Sequence, residues 1–184
     1  MADFMFHTVG SQLNPTKIAN TLTSKGKKID VKTVDKYIEG LTESMLFYEA
    51  KRFNIKGKQF LDSNSKYYAV DMGMRNMRVG GRDSDIGHLL ENVVYLELLR
   101  RYGKVYVGEL DNGEVDFVVK IDDGYEYYQV TASLTKENTD REVTPLTKIK
   151  DNYPKTILTL DTIMAEGNID GIQKTNVLNW LCEK

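Results

Sequence analysis

Residues 113–131 read GEVDFVVKIDDGYEYYQVT. Two β-rich runs are separated by Asp122-Asp123-Gly124, a hairpin signal because Gly accepts the positive φ of a tight turn. Glu114 to Ile121 predicts a strand in which Val115, Phe117 and Val119 alternate against Glu114, Asp116 and Val118. Tyr125 to Thr131 predicts the next strand. Upstream, Asp111-Asn112-Gly113 is a second turn, and Val105 to Leu110 a third strand.

Reading outward, Asp85 can cap a helix from Ile86 to about Arg101. Leu89, Leu90, Val93, Val94, Leu96, Leu98 and Leu99 make it apolar on more than one face, which predicts burial between layers. Glu91 lies in that stretch, and a buried carboxylate is costly unless paired or bound to a metal. Downstream, Arg141 to Lys150 reads as a helix limited or bent by Pro145, Lys155 to Asp161 as a buried strand, and Asn176 to Cys182 as a closing helix that buries Trp180. Helix, three strands, helix, strand is an α/β order.

The first half has a different pattern. Asn14-Pro15 opens a helix carrying Ile18, Ala19 and Leu22, and Gly26 suits its stop. Asp30 can cap a second helix with Val31, Val34, Ile38 and Leu41 on one face and Tyr37 beside them. Met45–Phe53 and Gln59–Val70 read as strands around a turn at 54–58. Two close helices and a basic hairpin form the order of a winged helix-turn-helix. In that geometry the N-terminal residues of the second helix, here Lys32, Thr33 and Lys36, approach DNA bases, and the wing tip offers Lys56 and Lys58 to phosphates. Asp35 and Glu39 on the same helix would repel phosphate, so DNA contact and protein docking both stay open. Asp71-Met72-Gly73 breaks the pattern and Arg78 to Asp85 reads as a linker, dividing the chain into 1–78 and 79–184.

Charge follows that division. The net charge of -2 conceals 14 basic against 8 acidic residues in 1–82 (+6), and 11 against 19 in 83–184 (-8). No apolar run reaches the length of a membrane span. Met1-Ala2-Asp3-Phe4 lacks the basic and apolar parts of a secretory signal, and Cys182 is the only cysteine. Together these suggest a cytoplasmic protein with no membrane partner and no internal disulfide.

Several segments in order, YYAVDMG (67–73), GHLLENVVYLELLRR (87–101), GEVDFVV (113–119), YYQV (127–130), REVTPLTKIKDNYPKTILTLD (141–161) and NWL (179–181), resemble the C-terminal region of a family of bacterial and archaeal AAA-type ATPases. KTVDKYIEGL (32–41) belongs to the same resemblance, which covers nearly the whole chain. The resemblance implies a winged helix followed by a restriction-endonuclease-like α/β core of the PD-(D/E)XK nuclease kind, with the ATPase module or another protein as a partner. The chain has no G-x-x-x-x-G-K-S/T; SKGKK (24–28) has neither the glycine spacing nor the Ser/Thr, so no nucleotide is expected.

In an active core of that kind a helix Glu, a strand Asp and a Glu-x-Lys on the next strand hold Mg²⁺ and activate water. The resemblance puts Glu91 at the helix acid and Asp116 at the strand Asp, and Gln129-Val130-Thr131 where Glu-x-Lys is expected. Glu91, Asp116 and Gln129 are thus both the candidate catalytic set and the candidate ligands of a weakly held Mg²⁺ or Mn²⁺. Gln129 loses a negative charge, and Thr131 cannot replace an ammonium. Glu114 could add a carboxylate, and Lys148 or Lys150 a cation. Three readings follow: the C-terminal module of an AAA-type ATPase without the ATPase part, nucleic-acid-associated or protein-docking and with a degenerate nuclease-like site; an active Mg²⁺-dependent nuclease; and a purely structural protein-interaction arm. In the last, Glu91 pairs with Arg82 or Arg100, Asp116 and Gln129 are cross-strand polar neighbours, and His88 is a core or surface residue.

Overall fold

The computed structural model describes residues 1–80 and 86–183, with the backbone alone at 62 and 63. The fold is mixed α/β, with seven helices and eight strands among the described residues. It divides into two compact units. One comprises Met1–Ala50 and Ser63–Gly81, the other Lys51–Asp62 and Arg82–Lys184.

The first unit contains α1 (Ala2–His7), α2 (Pro15–Ser24), α3 (Val31–Glu43) and α4 (Met72–Val79), together with the outer parts of the hairpin β1 (Phe47–Asn54) and β2 (Gln59–Ala69). Asn14 caps α2 by accepting the Lys17 N–H at 2.9 Å, and Asp30 caps α3 by accepting the Thr33 N–H at 2.7 Å. The second bond holds the Asp30 carboxyl below its ordinary pKa. Ile18 and Ala19 of α2 and Val34 and Ile38 of α3 are buried, as the helical spacing predicts. Phe6 of α1 meets Phe47 of β1 with ring centroids 4.6 Å apart.

Residues 71–79 differ from the sequence reading. Asp71 does not break the chain; it accepts the Met74 N–H at 2.7 Å and starts α4. That helix buries Arg75, whose Nε donates to the Phe6 carbonyl at 3.2 Å in the last turn of α1. An arginine in this role carries no apolar signal, so periodicity passes over the helix. The rest of the expected linker, with Arg82 and the Asp85 cap, lies outside the described residues.

The second unit contains α5 (Ile86–Tyr102), β3 (Val105–Leu110), β4 (Gly113–Ile121), β5 (Gly124–Thr131), α6 (Thr139–Thr147), β6 (Lys155–Thr159), β7 (Gly167–Ile169), β8 (Ile172–Asn176) and α7 (Val177–Cys182). Its sheet runs β2-β1-β3-β4-β5-β6-β8-β7, with β1 and β2 entering through residues 51–62. The strands β3, β4 and β5 are antiparallel neighbours, whereas β5, β6 and β8 run parallel. Val143 and Leu146 of α6 join Phe53, Ile55, Val115, Val118, Ile157 and Ile172 in one core. Tyr95 of α5 packs instead on Phe117, at 5.8 Å between ring centroids.

The division at 78/79 therefore places the hairpin differently from the structure. Residues 51–62 belong with the second unit, because Phe53 and Ile55 bury their side chains in its core and Arg52 to Asn54 pair with Val107 to Glu109 of β3. The strict alternation expected along β4 also changes. Tyr106 pairs with Val118 and Gly108 with Val115, so two steps on β3 match three on β4. This bulge reverses the facing of the strand, and Val115 shares its core with Val118 instead of with Phe117 and Val119. Gly108 sits beside the bulge. A Cβ there would stand 2.8 Å from both Ile55 Cδ1 and Val118 Cγ2.

Candidate functional site

The bulge lies at Asp116. Pairing between β4 and β5 runs from Ile121↔Gly124 to Phe117↔Tyr128 and then gives way to side-chain bonds. Asp116 Oδ2 accepts the Val130 N–H at 2.8 Å, and the Asp116 N–H donates to Gln129 Oε1 at 3.3 Å. Beyond this point β4 remains paired with β3, and β5 with β6 through Thr131↔Thr159. Two side chains thus satisfy backbone groups that a continuous ladder would have paired, which lets the strands part without orphaned N–H groups.

The parting opens into a cavity of about 1060 Å³. Glu91 from α5, Asp116 from β4 and Gln129 from β5 all line it. Glu114, which the bulge leaves on the same strand segment, and His88 also face it, His88 from an exposed position. Glu91 is 9% exposed and Gln129 8% exposed, so both are held in protein surroundings.

Glu142 is the residue that sequence reasoning missed. It projects from α6 into the same cavity and is 5% exposed. Gln129 Nε2 donates to Glu142 Oε2 at 3.0 Å, and Arg141 Nη2 donates to Glu142 Oε1 at 2.6 Å. Its signal was present: Glu142 precedes Leu146 by four residues and so lies on the buried stripe of α6. A carboxylate on such a stripe needs a partner, as Glu91 does on α5.

The cations expected here are distributed differently. Thr131 is buried, lines the cavity and donates its hydroxyl to the Ser133 carbonyl at 3.1 Å, so it brings no cation to the cavity. Lys148 lines the cavity and donates to the Asn112 carbonyl at 3.1 Å. Lys150 lines a neighbouring cleft. Arg100 binds Glu97 at 2.6 and 2.7 Å, so its ion pair is with Glu97.

These donors do not fit a resident divalent cation. Such an ion takes several oxygen ligands, usually including more than one carboxylate directed at one point. Asp116 spends Oδ2 on Val130, Gln129 turns its amide between Asp116 and Glu142, and Glu142 is bound to Arg141. Among the described residues no three His, Cys, Asp or Glu side chains form a metal-holding group. Glu91, Asp116 and Gln129 thus line one cavity, in which Asp116 and Gln129 are tied to the backbone, to each other and to Glu142 by hydrogen bonds.

The residues expected to meet DNA fall into two groups. Lys32 and Lys36 are exposed on α3, whereas Thr33 is half-buried with its N–H in the Asp30 cap. Lys56 and Lys58 belong to the second unit. Lys56 Nζ lies 3.0 Å from Asp111 Oδ2, and Lys58 Nζ lies over the rings of Tyr125 and Tyr153 at 5.3 and 5.4 Å. No helix among the described residues is long and apolar enough to cross a membrane.

A family model described as a domain of unknown function, DUF8612, matches residues 1–85. The chain is 41% identical over 180 residues to an uncharacterized protein of Haemophilus influenzae, which covers 98% of this chain and 44% of that protein. It is 29% identical over 185 residues to the uncharacterized protein MJ1544 of Methanocaldococcus jannaschii, covering 96% of this chain and 40% of that one. The chain therefore spans less than half the length of these curated relatives. No solved structure matches the chain.

Proposed function

We propose that this chain is the C-terminal module of a cytoplasmic AAA-type ATPase: a winged helix-turn-helix followed by a restriction-endonuclease-like α/β core whose PD-(D/E)XK nuclease site has lost its chemistry. The reading is carried by one observation. Glu91, Asp116 and Gln129, drawn from three different elements, meet in one cavity where β4 and β5 part. The α2–α3 pair followed by the β1–β2 hairpin supports the winged-helix part of the proposal. The greater length of the relatives leaves room for an ATPase part in proteins of this kind.

The loss of chemistry follows from charge. At 129 an amide stands in place of a carboxylate, and at 131 a hydroxyl in place of an ammonium. The carboxylate of Glu142 is nearby but is neutralised by Arg141. What this chain's residues still do is hold two strands apart and keep a polar cavity between them. The module would then associate with nucleic acid without cutting it, and transmit that contact to its ATPase partner.

Cleavage assays test the proposal. Wild type and Asp116→Ala are incubated with Mn²⁺ and single-stranded, duplex or branched DNA. Little or no cleavage by either protein is expected. Robust cleavage that Asp116→Ala removes would make the protein an active metal-dependent nuclease instead.

A further inference from the structure

The carboxylate cavity adjoins a second cleft. Asn112 and Lys148 line both. The second cleft measures about 640 Å³ and has Ile55, Leu110 and Ile149 on its floor. Lys56, Lys58 and Lys150 join Lys148 around it, and all four are exposed. Its two acids are engaged: Asp111 with Lys56 at 3.0 Å, and Asp151 with the Tyr127 hydroxyl at 2.7 Å and Lys155 at 3.2 Å. Four lysines against two aspartates leave the cleft basic. The adjoining cavity is acidic, with Glu91, Glu114, Asp116, Asp140 and Glu142 against Arg141 and Lys148.

We propose that the lysine cleft binds the phosphodiester backbone of a nucleic acid strand and delivers it to the edge of the carboxylate cavity at Lys148. This rests on the nuclease-like reading for the direction of the strand, but not for its affinity. The cations are all lysines, mobile point charges that suit a row of phosphates, and they outnumber the aspartates of the cleft by two. The apolar floor gives the aliphatic stems of the lysines a surface to lie on while their ammonium groups reach outward. Beyond Lys148 the carboxylates repel phosphate, so the backbone track ends where the nuclease-like site begins. The hairpin lysines then serve the second unit and not the face of α3.

Fluorescence anisotropy with the full chain tests the proposal. The probes are a labelled thymidine oligonucleotide and a labelled duplex of the same length, in EDTA so that cleavage plays no part. Unlabelled poly-glutamate serves as a competitor. The cleft variant is Lys56→Gln/Lys58→Gln/Lys150→Gln, and the comparison variant is Lys32→Gln/Lys36→Gln on α3. Circular dichroism melting shows that each variant is folded. We expect binding to at least one probe that weakens with salt, and a loss of about tenfold or more in the cleft variant, with a shallower salt dependence because fewer counterions are released. Unchanged affinity in the cleft variant, or poly-glutamate displacing the probe as well as unlabelled oligonucleotide does, overturns the cleft assignment. If the α3 variant alone loses binding, the cleft assignment fails while nucleic-acid association stands. Absence of binding to both probes at low salt overturns both.

Discussion

Gln129 and Glu142 form a buried pair across β5 and α6, with Gln129 Nε2 3.0 Å from Glu142 Oε2. The pair explains why an amide suits position 129. A carboxylate there would face Glu142 across the same distance with one Arg141 to neutralise both. Gln129→Glu should therefore destabilise the fold by about 2 kcal/mol, since a buried acceptor would lose its donor. Adding Glu142→Gln to that variant should restore most of the loss. Urea denaturation of the two single variants and the double variant measures the coupling; additive effects would show that the two residues act independently.

Glu97 anchors the end of α5. Its hydrogen bond with Arg100, followed by that with Arg101, holds its carboxyl at about 2, below the ordinary 4.5. A depressed carboxylate stabilises the fold in full above its unfolded pKa and loses that effect as pH falls through the folded one. Wild type should thus be more stable than Glu97→Gln above pH 4.5, with the gap closing between about 4.5 and 2. Thermal melts of both proteins across that range decide it. A gap that widens toward acid would reverse the assignment.

Arg101 extends the same network, lying 4.3 Å from the Trp180 ring and donating to the Trp180 carbonyl. Arg101→Lys keeps the charge but loses the planar contact and the fork. We expect a loss of stability of roughly 1 kcal/mol in urea denaturation, on the scale of a cation–π contact. Wild-type stability in that variant would show that charge alone matters.

Gly108 marks the approach of three strands near the bulge. Gly108→Ala should cost about 1–3 kcal/mol, the usual penalty for forcing a methyl into a packed core. Calorimetry would detect the loss. A neutral effect would mean that Ile55 and Val118 can move aside.

Much of the second unit could be read from local signals. The turns at 111–113 and 122–124, the apolar helix from Ile86 and the strand from Lys155 all announce themselves through pattern. The β7–β8 hairpin carries a turn signal in Asp170-Gly171, both at positive φ, but its strands are short and polar and show little apolar pattern. The bulge at Asp116 was not legible, since nothing in Val-Asp-Phe-Val says where a ladder takes an extra residue. Its effects on facing and on the parting of β4 and β5 are tertiary. Glu91, Asp116 and Gln129 can be named from the resemblance, whereas Glu142 is legible only as a carboxylate on a buried helix stripe, because its partner Gln129 lies on another element. The assignment of Lys56 and Lys58 to the second unit depended on where Phe53 and Ile55 pack, which a local reading of the hairpin cannot tell.

On the proposed reading, a nuclease-like site has lost its chemistry through two side chains, Gln129 and Thr131. The most direct measurement rebuilds it: Gln129→Glu/Thr131→Lys/Glu142→Gln is compared with wild type for Mn²⁺-dependent DNA cleavage, once melting shows that both are folded. The account predicts that the wild type is inactive and that the rebuilt protein gains cleavage which a further Asp116→Ala removes. Cleavage by the wild type equal to that of the rebuilt protein, or a folded rebuilt protein that still does not cut, would contradict it.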